Sequence, residues 1–188
     1  MKILYIDATV RKESRTAKLA AHLLEKLEGD VEQVKLCETL FPVTDEAYLA
    51  ERDKACGAGE FSGEIFGYAR QFAAADIIVI AAPFWDLSFP AALKQYFEHI
   101  NVVGLTFAYT DEGRPVGLCA VKKLFYVTTA GGGIFAEEYG YGYVKALAQG
   151  FYGIEDCVCF KAEGLDIYGA DVRMILEKAF AEVDEYFA

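Results

Sequence analysis

Residues 77–100 read IIVIAAPFWDLSFPAALKQYFEHI. Ile77–Ala82 is an unbroken apolar run with no in/out alternation. Such a run is buried on both faces, the mark of a parallel strand covered by helices. Further on the period changes: Leu93, Tyr96, Phe97 and Ile100 fall at i, i+3, i+4 and i+7, one face of an α-helix. Between the two lies Pro83–Pro90, which carries the chain's only Trp and two Phe at positions where a loop is ordinarily polar.

The alternation of strand and helix extends both ways. Lys2–Ile6 (KILYI), Lys123–Thr129 (KLFYVTT) and Cys157–Ala162 (CVCFKA) are further strand-like runs, and Val31–Leu36 (VEQVKL) is mixed enough to suit an edge. Helical spacing follows Ser14 at Ala20, Leu23, Leu24 and Leu27, and recurs at Val172, Ile175, Leu176, Ala179 and Val183, with weaker segments at Gly63–Ala74 and Glu138–Gln149. The pattern predicts an α/β fold: a five-stranded parallel sheet of flavodoxin-like order 2-1-3-4-5, with right-handed crossovers and helices on both faces. Two connections are long. Cys37–Gly59 reads as an excursion with a short helix about Asp45–Lys54, and Leu105–Cys119 reads as a hairpin, LTFAYT and RPVGLC around an Asp-Glu-Gly turn. With no repeat or linker, residues 1–188 are expected to form a single domain.

Composition narrows the function. The chain is 54% hydrophobic and 25% charged, with a net charge of −11, which argues against nucleic acid and anionic membrane surfaces as partners. No apolar run reaches the roughly 18 residues of a membrane span. The start, MKILYIDATV, is too short in apolar residues for a signal peptide, so a cytoplasmic location is expected. The five cysteines are scattered and read as reduced thiols, and neither His22 nor His99 lies in a metal-spaced cluster, so no metal site is expected.

In an open parallel sheet, ligands bind beyond the carboxyl ends of the strands where the strand order reverses. That places Asp7–Thr16, Pro83–Pro90 and Thr129–Phe135 together. The first, DATVRKESRT, leads into a helix. Thr9 and Ser14 offer hydroxyls, Arg11, Lys12 and Arg15 offer charge, and the free N–H groups of a helix start favour an anion such as a phosphate monoester. The alternative is a capped helix beneath a solvated basic loop. In the second loop, Phe84 and Trp85 suit the face of a flat ring, Phe89 suits the core, and Ser88 is a candidate cap for the helix after Pro90. The third, TTAGGGIF, can expose a run of N–H groups. No loop carries a Rossmann or P-loop fingerprint. A phosphate clamp, an aromatic wall and a glycine nest together fit flavin mononucleotide (FMN).

The residues that carry these features resemble a known family. A-T-x-R-x-x-S-x-T at 8–16 is similar to the G-S-x-R-x-x-S-x-N phosphate motif of NAD(P)H-dependent FMN reductases. PFWDLSFPAALKQYF, LTFAYTDEGRPVGL and VTTAGGG are similar to the P-M-Y-N-F segment, T-F-x-Y-T-x-x-G-x-x-G-L hairpin and T-S-R-G-G loop of the flavodoxin-like NAD(P)H:quinone reductase and FMN-dependent NADH-azoreductase family. The resemblance implies that Thr9, Arg11, Ser14, Arg15 and Thr16 hold the phosphate. It implies that Pro83, Phe84, Trp85, Asp86 and Leu87 line the ring and ribityl chain, and that Thr129, Ala130, Gly131 and Gly132 face the pyrimidine edge. Tyr109 comes out as a possible substrate contact, with an interface role equally open. A homodimer is implied, and so is passage of two electrons from NADH or NADPH through FMN to a quinone, azo or similar small aromatic acceptor. Asp86 stands where the family commonly has Asn, Ala130 where it often has Arg, and Gly133 lengthens the third loop. A one-electron carrier and a flavin-free sensing module of the same fold remain as alternatives.

Overall fold

The computed structural model describes residues 1–188. In chain order the elements are β1 (Lys2–Asp7), α1 (Arg15–Leu24), β2 (Asp30–Lys35), α2 (Glu46–Ala58), α3 (Gly67–Ala73), β3 (Ile77–Ala81), α4 (Ala91–Ile100), β4 (Phe107–Tyr109), β5 (Pro115–Gly117), β6 (Lys123–Thr129), α5 (Tyr141–Leu147), β7 (Asp156–Ala162) and α6 (Val172–Tyr186). Five strands form one sheet in the order β2-β1-β3-β6-β7, all parallel, and β4-β5 is a separate antiparallel hairpin. With the hairpin set aside this is the expected order 2-1-3-4-5.

Burial follows the sequence pattern. Every residue of β3, the central strand, is buried, whereas only Val34 is buried in β2 at the edge. One face of the sheet meets α3, α4 and α5 through a 25-residue cluster that includes Leu4, Ile78, Phe72, Phe97 and Tyr126. The other meets α1 and α6 through a 15-residue cluster with Ile3, Val79, Leu19, Leu23 and Val183. Each such side chain removed from water contributes on the order of 1.5–3 kcal/mol, which is why two-sided burial fixes the strands. The register aligns Asp7 with Ala81, Ala81 with Val127 and Val127 with Phe160, so the carboxyl ends of the strands open at one rim. No helix is long and apolar enough to cross a membrane.

Three segments differ from the periodicity. Gly63–Ala74 divides into a 3-10 turn, Glu64–Phe66, and α3, because Phe66 at φ −100°, ψ 6° leaves helical geometry and Gly67 is a weak helix former. The helix expected from Glu138 begins at Tyr141, after a separate 3-10 turn at Glu137–Tyr139, and continues past Leu147 into a π turn, Ala148–Tyr152. Helix α2 runs beyond Lys54 to Ala58, where Gly59 at φ 69° ends it. The hairpin sits on the π turn. A Cβ at Gly117 would run into the backbone of Tyr152 and Gly153, and Phe107 meets Phe151 edge-on with centroids 4.7 Å apart.

Candidate functional site at the sheet rim

A cavity of about 570 Å³ opens at this rim, lined by residues of the three loops expected there and by one residue of a fourth. The first loop is shaped from inside. Buried Asp7 accepts from the Thr9 N–H at 2.9 Å and from Gln33 at 3.2 Å. Ser14 then caps α1, its Oγ accepting from the Ala17 N–H at 3.1 Å. The N–H groups of Ser14, Arg15 and Thr16 have no acceptor within the chain, so a helix start with free donors faces the cavity-lining Arg11, Ser14, Arg15 and Thr16. Glu13 also lines the cavity; its bond to the Lys18 ammonium at 2.7 Å holds its carboxyl below the usual range.

The second loop makes a tight turn. Trp85 and Ser88 exchange both backbone hydrogen bonds at 2.8 Å, which puts Asp86 at φ 49° and Leu87 at φ 67°. Leucine is uncommon in the left-handed region, and its presence there is strain held by those bonds. The N–H of Trp85 is thereby taken, while those of Asp86 and Leu87 have no acceptor. Ser88 is no helix cap: Pro90 holds that position without a side-chain bond, and the Ser88 hydroxyl donates to the Tyr139 carbonyl at 2.5 Å. Asp86 lines the cavity and caps no helix. Phe89 packs into the core against Phe97 and Tyr143.

The third loop is tied to its neighbours on both sides. Thr129 and Thr16 share a buried hydroxyl–hydroxyl bond of 2.6 Å, and the Phe84 N–H donates to the Thr129 carbonyl at 3.0 Å. The Ala130 N–H, expected as a free donor, instead bonds Ala162 at 2.9 Å, because the strand pairing of β6 with β7 runs one step past their ends. The N–H groups of Gly131, Gly132 and Gly133 have no acceptor. Glu163 accepts from the Ile134 N–H at 2.8 Å; burial alone would raise its carboxyl, but that bond and Lys161 hold it below the usual range.

Of the residues singled out in the sequence, Arg11, Ser14, Arg15, Thr16, Pro83, Phe84, Trp85, Asp86, Thr129, Ala130 and Gly131 line the cavity. Thr9 is buried beneath the first loop, Leu87 and Gly132 lie outside the lining, and Tyr109 is exposed on the hairpin. Val10, Glu13 and Asp166 line it without having been singled out. Asp166 belongs to the polar connection after the fifth strand of the sheet, whose signal in the sequence, EGLD, is indistinguishable from an ordinary turn. The lining offers free N–H donors and arginine from the first loop, the aromatic side chains of Phe84 and Trp85 from the second, and further free N–H donors at Asp86 and Gly131. That donor set fits a phosphorylated planar heterocycle of FMN type.

The "Flavodoxin-like fold" family model matches residues 1–187. The FMN-dependent NADH:quinone oxidoreductase 2 of Clostridium acetobutylicum is 39% identical over 198 residues, covering 98% of this chain and 96% of the relative. Among solved structures, an azoreductase from Bacillus anthracis str. Sterne superposes with a TM-score of 0.82 at 28% identity, covering 100% of this chain and 98% of the other. An FMN-dependent NADH-azoreductase from Bacillus anthracis str. Ames Ancestor, solved in complex with FMN, gives 0.81 at 26% identity, covering 99% and 97%.

Proposed function

The chain belongs to the flavodoxin-like fold family, and on that premise we propose that it is an FMN-dependent oxidoreductase. It passes two electrons from NADH to a quinone, azo compound or similar small aromatic acceptor. The observation that carries this reading is the rim cavity itself, whose lining joins a helix start with free donors, two aromatic side chains and the free N–H groups of Asp86 and Gly131. FMN, when bound, supplies the electron storage. The chain's residues bind and orient. The N–H groups of Ser14, Arg15 and Thr16, with the Ser14 hydroxyl, meet the phosphate, and Arg11 adds charge. Pro83, Phe84 and Trp85 shield one side of the ring from water. The free N–H groups of Asp86 and Gly131 would meet its polar edges and favour negative charge there, in the manner of an oxyanion hole, with the N–H groups of Leu87, Gly132 and Gly133 just beyond the lining. Thr9 acts from below, through the Asp7 bond that shapes the loop.

The active unit is two chains. Trp85, Leu87, Phe135 and Tyr139 are exposed on the rim segments and Tyr109 and Val116 on the hairpin, and exposed apolar side chains of this kind are protected by a second copy. Tyr109 of the hairpin then meets the acceptor in the other copy's cavity. Five free cysteines fit work in the cytoplasm, with residues 1–188 acting as one domain.

Anaerobic mixing of FMN-loaded protein with NADH, and separately with NADPH, tests the reading. Rapid bleaching of the yellow colour by NADH, and its return on adding a quinone, is expected. A flavin that ignores both nucleotides supports a carrier instead, and protein that takes up no FMN supports a sensing module. Light scattering on the loaded protein reads the two-chain mass.

A further inference from the structure

Arg15 lies at the start of α1, where a phosphate ligand would be sought, yet its guanidinium is already engaged across the cavity. One NH₂ group donates to the Leu165 carbonyl at 3.0 Å and the other to Asp166 Oδ1 at 2.7 Å. The two residues it grips also hold the third loop through their own N–H groups: Leu165 donates to the Ala130 carbonyl at 3.2 Å and Asp166 to the Gly131 carbonyl at 2.9 Å. Gly164 donates to Gly132 at 2.9 Å, completing a row in which three consecutive carbonyls of the strip are taken. What the strip has left are donors, the N–H groups of Gly131, Gly132 and Gly133. The Asp166 carboxylate also fills the space that a Cβ on Gly131 would occupy, so any larger residue there displaces it.

We propose that Arg15 and Asp166 are a positioning pair for the ring end of the site. Together they clamp the connection 163–166 onto the glycine strip and so fix the donors that meet the ring's polar edge. The phosphate is left to Ser14 and the N–H groups of the helix start. Both terminal nitrogens of the guanidinium are engaged on that connection, one on the Leu165 carbonyl and one on Asp166 Oδ1. The inference rests on the flavin reading above, and it separates from that reading through riboflavin, which has the ring but no phosphate.

The experiment titrates apoprotein with FMN and with riboflavin, following flavin fluorescence, for the unaltered chain, Arg15→Ala, Asp166→Ala and the double variant. Each single variant is expected to weaken both ligands by a similar factor of about ten. The ratio of FMN to riboflavin affinity is expected to stay near that of the unaltered chain, and the double variant to be no worse than Arg15→Ala. The midpoint potential of bound flavin is expected to fall in Arg15→Ala, because looser donors stabilise the reduced ring less and a positive charge leaves the lining. The Asp166 side chain is 64% exposed, so Asp166→Ala keeps the fold and decides the matter if Arg15→Ala does not fold. The proposal is overturned if Arg15→Ala weakens FMN alone, or if Asp166→Ala leaves riboflavin affinity unmoved. Unaltered protein that binds neither flavin overturns the flavin reading itself.

Discussion

The loops Pro83–Pro90 and Thr129–Phe135 border the same cavity, and they solve their backbone geometry in opposite ways. The second has no glycine, yet two of its residues, Asp86 and Leu87, stand at positive φ. The third has Gly131, Gly132 and Gly133 in a row, and none of them is at positive φ. In one loop a strained turn is held by the Trp85–Ser88 bonds and by Ser88 on Tyr139. In the other, the absence of side chains lets a carboxylate from the next connection lie directly on the main chain. Glycine therefore marks close approach here, and the turn that calls for glycine lacks it. Strain at a rim turn with unpaired N–H groups is the kind that a ligand's acceptors help to hold.

Four substitutions sharpen or break this contrast. Gly131→Ala carries the largest effect, because the added methyl displaces Asp166 and with it the Arg15 bond. FMN binding should weaken by about 2 kcal/mol in a calorimetric titration, and an unchanged affinity would show that the close approach is incidental. Leu87→Gly should instead stabilise the apoprotein by about 1 kcal/mol. That appears as a rise in Tm of roughly 2–4 °C by differential scanning calorimetry, and a fall would mean that the leucine side chain outweighs its backbone strain. Asp86→Asn keeps a residue that tolerates the left-handed region, so stability should move by only a few tenths of a kcal/mol. The flavin midpoint potential should rise as a negative charge leaves the cavity, and spectroelectrochemistry that finds no shift would place the carboxylate away from the ring. Gly132→Ala is the control: nothing lies within 4 Å of its added Cβ. Thermal stability should stay within about 0.5 kcal/mol, and a larger loss would break the distinction between these two glycines.

The same contrast marks the boundary of what the sequence discloses. Ile77–Ala82 and Lys123–Thr129 are legible because burial on both faces leaves an unbroken apolar run, and the hairpin is legible because Asp-Glu-Gly separates two β-like runs with Gly113 at φ 77°. Ser14 is legible as a cap because a hydroxyl at a helix start has one strong use. Leu87 is not, since nothing local asks for a leucine at positive φ; the turn comes from Trp85 meeting Ser88. Asp166 is not, since its role comes from Arg15 and Gly131, both distant in the chain. Ser88 misleads for a related reason: its carbonyl partner on Tyr139 is supplied by a tertiary approach. The π turn at Ala148–Tyr152 escapes a reading based on a 3.6-residue period.

The largest fully buried side chains, among them Tyr96, Tyr126, Tyr152, Phe66 and Phe72, contribute nothing to the cavity lining. Inheritance can therefore act on the two separately. Over generations the rim can drift toward new acceptors, one loop residue at a time, while the sandwiched interior continues to specify the same scaffold. A lineage built in this way can diversify its chemistry without first having to re-evolve its shape.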